Sequence, residues 1–147
     1  MKAVIQRVKK TTLSVDGELI SEIEKGLVVY LGVKSGDTKE SADYLAKKIS
    51  AMRIFEDENG KMNLGVKDIG GEILVVSQFT LLADTSRGNR PSFIEAEKPE
   101  RANELYLYFA SLLEQTYGIS VKRGVFGADM KIEQYNDGPV TILMEKE

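Results

Sequence analysis

Ala3, Ile5 and then Val8 alternate with Lys2, Gln6 and Arg7, a period of about two that predicts an opening strand over residues 1–9. Residues 12–23 repeat that pattern on both sides of Asp16-Gly17, which predicts two short strands joined by a hairpin turn. Residues 27–33 (LVVYLGV) are apolar without interruption, as in a strand buried on both faces. The period then lengthens. Thr38, or alternatively Ser41, supplies an N-cap, and Ala42, Leu45, Ile49 and Met52 fall at helical spacing, predicting an amphipathic helix over 39–52. Residues 53–55 and 61–64 flank Asn59-Gly60 as a small hairpin, and Gly70-Gly71 leads into an apolar strand over 72–79. Residues 83–98 have no period and read as a long loop, a feature that inside a compact domain is usually functional or disordered. Pro99 opens a second helix, with Ala102, Leu105, Tyr106, Phe109, Leu112, Leu113 and Thr116 as its buried stripe and Gly118 as its end. Three strands, 120–126, 131–135 and 140–144, close the chain. Gly138-Pro139 then reads as the turn before the last of them, since proline cannot donate to a sheet ladder and Asn-Asp-Gly-Pro is ordinary turn composition. It is also the kind of peptide bond for which the cis form is accessible. No repeat or linker interrupts residues 1–147, so the pattern predicts one α/β domain.

Composition narrows what that domain does. The 147 residues are 42% hydrophobic and 29% charged, the balance of a soluble globular protein. No apolar run has membrane-spanning length and no leader pattern is found, and the lack of cysteine makes a reducing cytoplasm the expected setting. The absence of cysteine removes any disulfide framework. A net charge of −3 and a pI near 5.2 argue against nonspecific coating of nucleic acid, though not against a local basic patch. There is no histidine, which removes Ser-His-Asp triads, Cys-His pairs and every histidine-containing metal site. Glu56, Asp57 and Glu58 lack the alternating spacing of a calcium loop and read as a solvated turn. No metal or cofactor is expected. An enzyme built from this chain works with hydroxyls, amides, carboxylates, Lys, Arg, backbone groups or atoms of the substrate.

The candidate chemistry lies where the strand over 72–79 opens into the long loop. Ser77, Gln78, Phe79 and Thr80 put polar groups at a strand end, a usual place for a site in α/β proteins. The same residues also suit a purely structural role, with hydroxyls on turn amides and Phe79 in the core. Thr80 lacks a histidine to activate it as a nucleophile. Arg87 and Arg90 in the loop carry guanidiniums suited to phosphate, and Arg7, Lys9, Lys10, Lys122 and Arg123 add positive charge elsewhere.

The runs SQFTLLAD (77–84), GNRPSF (88–93), FGADM (126–130) and NDGPVT (136–141) together resemble the D-aminoacyl-tRNA deacylases, the D-tyrosyl-tRNA deacylase family. MKAVIQRV at the start and RIFEDENGKMNLGV (53–66) are similar to the same family, in the same order. The resemblance implies a single compact α/β domain with mixed, largely antiparallel β-sheets, two amphipathic helices packed on one side, and an obligate homodimer. It implies a cis Gly138-Pro139 bond that projects into the partner's active site and rejects L-amino acids by clash. Main-chain N–H groups around Phe79 and Thr80 would then form an oxyanion hole. Gln78 would orient a carbonyl or ribose, Phe79 would sit near the terminal adenine, and Ser77 would support the strand end. Arg7, Phe126 and Met130 would hold the Gly-Pro in place, and Arg87 and Arg90 would contact tRNA phosphate. The reaction implied is ester hydrolysis of D-aminoacyl-tRNA, and of glycyl-tRNA, assisted by the terminal 2′-hydroxyl. Two other readings are a small oligomeric hydrolase or deaminase of reactive metabolites and a non-catalytic RNA-binding adaptor. The acidic pI and the lack of an RNA-binding motif count against the adaptor.

Overall fold

The computed structural model describes residues 1–147. Its first strand, β1 (Lys2–Val15), is one long element where the alternation predicts two. The alternation slips at Lys9-Lys10, where both side chains are exposed, because the pairing with the last strand shifts register twice between Gln6 and Lys10. A bulge displaces the side chains by one position without ending the strand. The turn at Asp16-Gly17 has both residues at positive φ and returns the chain as β2 (Glu18–Ile23), the geometry two-residue hairpins require. β3 (Gly26–Gly32) pairs antiparallel with the first half of β1, and β2 pairs with the second half.

Helix α1 (Lys39–Ala51) starts after Thr38, whose N–H donates to Ser41 Oγ at 3.4 Å. The small hairpin of β4 (Phe55–Glu56) and β5 (Met62–Leu64) turns around Asp57, which accepts from Asn59 N, Lys61 N and Asn63 Nδ2. These bonds hold its carboxyl below the usual carboxylate range, as they favour the charged form. β6 (Glu72–Ser77) lies parallel to β3, and after α2 (Pro99–Ser111) the strand β7 (Ser120–Arg123) lies parallel to β6. The sheet order is β2-β1-β3-β6-β7. It is mixed, with antiparallel pairs around β1 and the parallel crossovers carried by the helices. Helix α2 continues into a π-helical turn, Leu112–Thr116, so Thr116 is exposed where an unbroken helical stripe would bury it.

β8 (Met130–Glu145) pairs with β1 on both sides of an interruption at 137–140 and replaces the two closing strands read from the sequence. Gly138-Pro139 therefore lies inside a strand, not at the head of one. Asn136 is opposite Val8 and Thr141 is opposite Gln6, so residues 137–140 face Arg7 alone. This bulge has no ladder bond for proline to break.

Both helices cover one face of the sheet. Ala42, Leu45, Ile49, Leu105, Phe109 and Leu113 pack there against Ile5, Leu27, Val29, Leu31, Ile73 and Val75. Val8, Leu13, Ile23, Val28, Leu74 and Val76 form a smaller cluster on the other face, which explains the unbroken apolar run of β3. The sheet curls around that cluster. Ser21 in β2 donates through Oγ to the carbonyl of Arg123 in β7, bringing together the two ends of the strand order.

Candidate active site

The pairing of β6 with β3 ends at Leu31 and Ser77, and the Gln78 N–H makes one last bond to the Leu31 carbonyl at 2.8 Å. The chain then tightens into a 3-10 turn, Phe79–Leu82. The turn packs directly on Gly32 of β3. A methyl group at that glycine would lie 2.6 Å from Leu82 Cδ2 and 3.0 Å from the Gln78 carbonyl oxygen, so β3 needs glycine there. The first N–H groups of any helical turn have no partner within it. Here the N–H groups of Phe79 and Thr80 enter no backbone hydrogen bond of the chain, and Gln78 donates through Nε2 to Thr80 Oγ1. The site thus has two adjacent free backbone donors, a carboxamide and a hydroxyl. No group beside Thr80 acts as a base toward it.

A pocket of about 640 Å³ opens beside this strand end. Ser77, Gln78 and Phe79 form one wall, and Phe126, Gly127, Ala128 and Met130 form another. Phe126 is tilted against the ring of Tyr106, with centroids 6.1 Å apart. Burial pushes the Tyr106 phenol up to about 12, and its hydroxyl donates to the Val75 carbonyl in β6. The third wall comes from Phe93, Ala96, Lys98 and Ala102.

That wall shows how the long loop is ordered. Asp84 and Ser92 bond each other's backbone at 2.8 and 3.0 Å, Ser35 N donates to Glu95 O at 2.8 Å, and Glu97 N donates to Val33 O at 2.9 Å. The Ser86 side chain and N–H hold the Asp84 carboxyl below its usual range. Pinned at both ends, the loop sets Phe93 edge-on to Phe79, with centroids 5.2 Å apart and planes at 71°.

Of the residues singled out from the sequence, Ser77, Gln78, Phe79, Phe126 and Met130 line this pocket together. Thr80 faces a shallower groove beside it, with Gln78, Leu81, Val4, Gln6 and Tyr30. Arg87 and Arg90 are exposed on the loop tip between Asp84 and Ser92, outside the pocket lining. Arg7, Gly138 and Pro139 form a separate group. Buried Arg7 donates through Nε to the Asp137 carbonyl at 3.0 Å and through Nη1 to the Ile54 carbonyl at 2.8 Å. The Gly138-Pro139 bond is cis, and both residues are exposed. Gly138 has φ +134°, and a methyl on it would lie 2.8 Å from Val140 N and 3.3 Å from Arg7 Nη2. The local backbone itself therefore demands glycine.

Sequence reading gave no role to Phe93 or Gly32. An aromatic residue in an otherwise polar loop was the available signal for Phe93. Gly32 gave none, because its constraint arises from the turn packed across it. No group of three or more metal-ligating side chains is gathered anywhere in the chain.

The family profile described as D-Tyr-tRNA(Tyr) deacylase matches residues 4–145. A D-aminoacyl-tRNA deacylase of Halalkalibacterium halodurans is 54% identical over 99% of this chain and 99% of its own. One of Dehalococcoides mccartyi is 55% identical over 99% of this chain and 94% of its own. Among solved structures, one described as a c-Myc DNA unwinding element binding protein is 44% identical, with a TM-score of 0.94 over 100% of this chain and 99% of the other. Another, described as a probable eukaryotic D-amino acid tRNA deacylase, is 16% identical with a TM-score of 0.85 over 99% of this chain and 98% of the other, which shows a shared fold. A profile match over residues 4–145 and relatives of 54% and 55% identity place the chain in the D-Tyr-tRNA(Tyr) deacylase family.

Proposed function

We propose that this protein hydrolyses the ester bond of D-aminoacyl-tRNA, releasing the free D-amino acid and intact tRNA. The pair of unpartnered N–H groups at Phe79 and Thr80, at the edge of an apolar pocket, is the observation that carries the reading. Ester hydrolysis passes through a tetrahedral oxyanion, and preorganised backbone donors are usually the largest single source of its stabilisation. Gln78 orients the carbonyl or the ribose, and Ser77 supports the strand end. Thr80 is held as a hydrogen-bonding group and is not the nucleophile, since nothing beside it takes its proton. Water attacks, and the terminal 2′-hydroxyl of the substrate assists.

Selection falls to Gly138 and Pro139. They are exposed, stiffly backed by Arg7, and absent from the lining of their own chain's pocket, which suits a segment that completes the pocket of a second copy. The functional unit is a homodimer, with rigid backbone set against the position of an L side chain. Glycine offers nothing to clash, so glycyl-tRNA is also a substrate. The reaction belongs to the cytoplasm, where aminoacyl-tRNA is made, and needs no cofactor.

The test is loss of D-tyrosine from D-Tyr-tRNA, followed beside a substrate whose terminal ribose lacks the 2′-hydroxyl and beside D-tyrosine methyl ester. Fast hydrolysis of the full substrate alone is expected. Equal hydrolysis of the methyl ester would favour a small-molecule hydrolase, and an acyl group trapped on Thr80 would restore a nucleophile mechanism.

A further inference from the structure

Arg7 secures the bulge at 137–140 from the inner side, through the Asp137 carbonyl. The other side is held by a chain of side chains that the sequence does not advertise. The Tyr30 hydroxyl donates to Gln134 Oε1 at 2.8 Å. Gln134 Nε2 donates to Gln6 Oε1 at 2.6 Å and also to Asn136 Oδ1. Gln6 Nε2 donates in turn to Thr141 Oγ1 at 3.3 Å. Gln134 lies on β8 before the bulge, opposite Thr11, and Thr141 lies after it, directly opposite Gln6 on β1. The side chain of Gln6 thus bonds both arms of β8 where the backbone ladder is interrupted.

Burial raises the Tyr30 phenol above its ordinary value, so its hydroxyl keeps the proton that it donates to Gln134. Gln134 presents its carboxamide oxygen to Tyr30 and its N–H groups to Gln6 and Asn136. That leaves Gln6 with its oxygen engaged and its N–H groups turned toward Thr141. Gln6 is thereby bonded on one side to Gln134 and on the other to Thr141, which ties the two arms of β8 to each other.

We propose that Gln6 is a positioning residue for the Gly138-Pro139 segment: by bonding Gln134 and Thr141 on either side of the bulge, it fixes how far the segment projects and thereby sharpens rejection of L-aminoacyl esters. This rests on the assignment of Gly138 and Pro139 to chiral selection. Loss of the link leaves the oxyanion donors at Phe79 and Thr80 in place but lets the segment recede. The D-ester reaction then suffers less than the exclusion of the L-ester.

The experiment measures kcat/KM for D-Tyr-tRNA and L-Tyr-tRNA on the wild type, Gln6→Met, Thr141→Val, the double variant and Gly138→Ala, with melting temperature and solution mass on each preparation. Gln6→Met keeps the length of the side chain and removes both bonds. Thr141→Val removes only the acceptor, at an exposed position. Each should lower the D-to-L ratio by about three- to tenfold, the scale of one hydrogen bond. The double variant should be no worse than Gln6→Met, since both substitutions cut the same link. An unchanged ratio in Thr141→Val and in folded, dimeric Gln6→Met, with Gly138→Ala impaired, overturns the role of Gln6 alone. An unchanged ratio in Gly138→Ala overturns the selection reading beneath it. If Gln6→Met fails to fold, Thr141→Val decides the matter by itself.

Discussion

Gly32 shows how a single missing side chain shapes the site. The turn carrying the Phe79 and Thr80 N–H groups rests on this glycine, with no space for a methyl between it and Leu82 or the Gln78 carbonyl. Gly32→Ala should push the turn outward, cost about 1–3 kcal/mol of stability as overpacking does, and lower kcat by more than tenfold, because misplacement of this order is expensive in catalysis. Melting temperature and kcat on one preparation check it. Thr11 gives the opposite case. Its hydroxyl is fully buried in the curl of the sheet and has no hydrogen-bond partner. Thr11→Val replaces that hydroxyl with a methyl of similar size and should stabilise the fold by about 1–2 kcal/mol, by the usual cost of an unmet buried polar group. Chemical denaturation should show the gain, with D-ester hydrolysis unaltered. At this scale the position of the SQFT run at the end of an apolar strand was legible, and the structure sets Ser77, Gln78 and Phe79 on a pocket wall there. Neither Gly32 nor Thr11 was legible, because their constraints come from strands distant in sequence.

Elements were read well wherever one period ran without interruption. The hairpin at Asp16-Gly17, the doubly buried β3 and both helices follow directly from spacing. The reading failed at β1 and β8, each divided in two, for one shared reason. The bulge that gives 137–140 their freedom also breaks the alternation on both strands. A local period cannot distinguish a strand that ends from one that slips. The long loop was legible only as a loop. Its ordering depends on single backbone pairings to Val33, Lys34 and Ser35 from across the fold. That ordering predicts a use for Phe93, which braces Phe79 edge-on at the pocket. Phe93→Ala should reduce kcat/KM for D-aminoacyl-tRNA by about three- to tenfold, the scale of one aromatic pair. The loss should appear mainly in KM, with melting temperature nearly constant, because the loop remains pinned by backbone bonds on either side.

Across the whole molecule, the groups proposed for chemistry and for selection sit in separate places on one chain. The pocket lies between β6, the loop, α2 and the start of β8, while Gly138 and Pro139 project from a bulge outside it. If Gly138 and Pro139 complete the pocket of a second copy, as proposed, the active species should have twice the mass of one 16.3 kDa chain. Light scattering of a dilute, active sample checks this, and an active monomer would contradict the shared site. The positive charge seen in sequence does not gather at the pocket, where Lys98 stands with Glu97 and Asp129. Grip on tRNA is thus not the source of discrimination in this account, and handedness at the α-carbon is. The most direct measurement is the rate of ester loss from D-Tyr-tRNA and L-Tyr-tRNA carrying the same tRNA, at the same limiting concentration of purified protein. Rapid loss of the D-ester is expected, with the L-ester decaying no faster than in buffer alone. Comparable hydrolysis of both, or of neither, would contradict this reading.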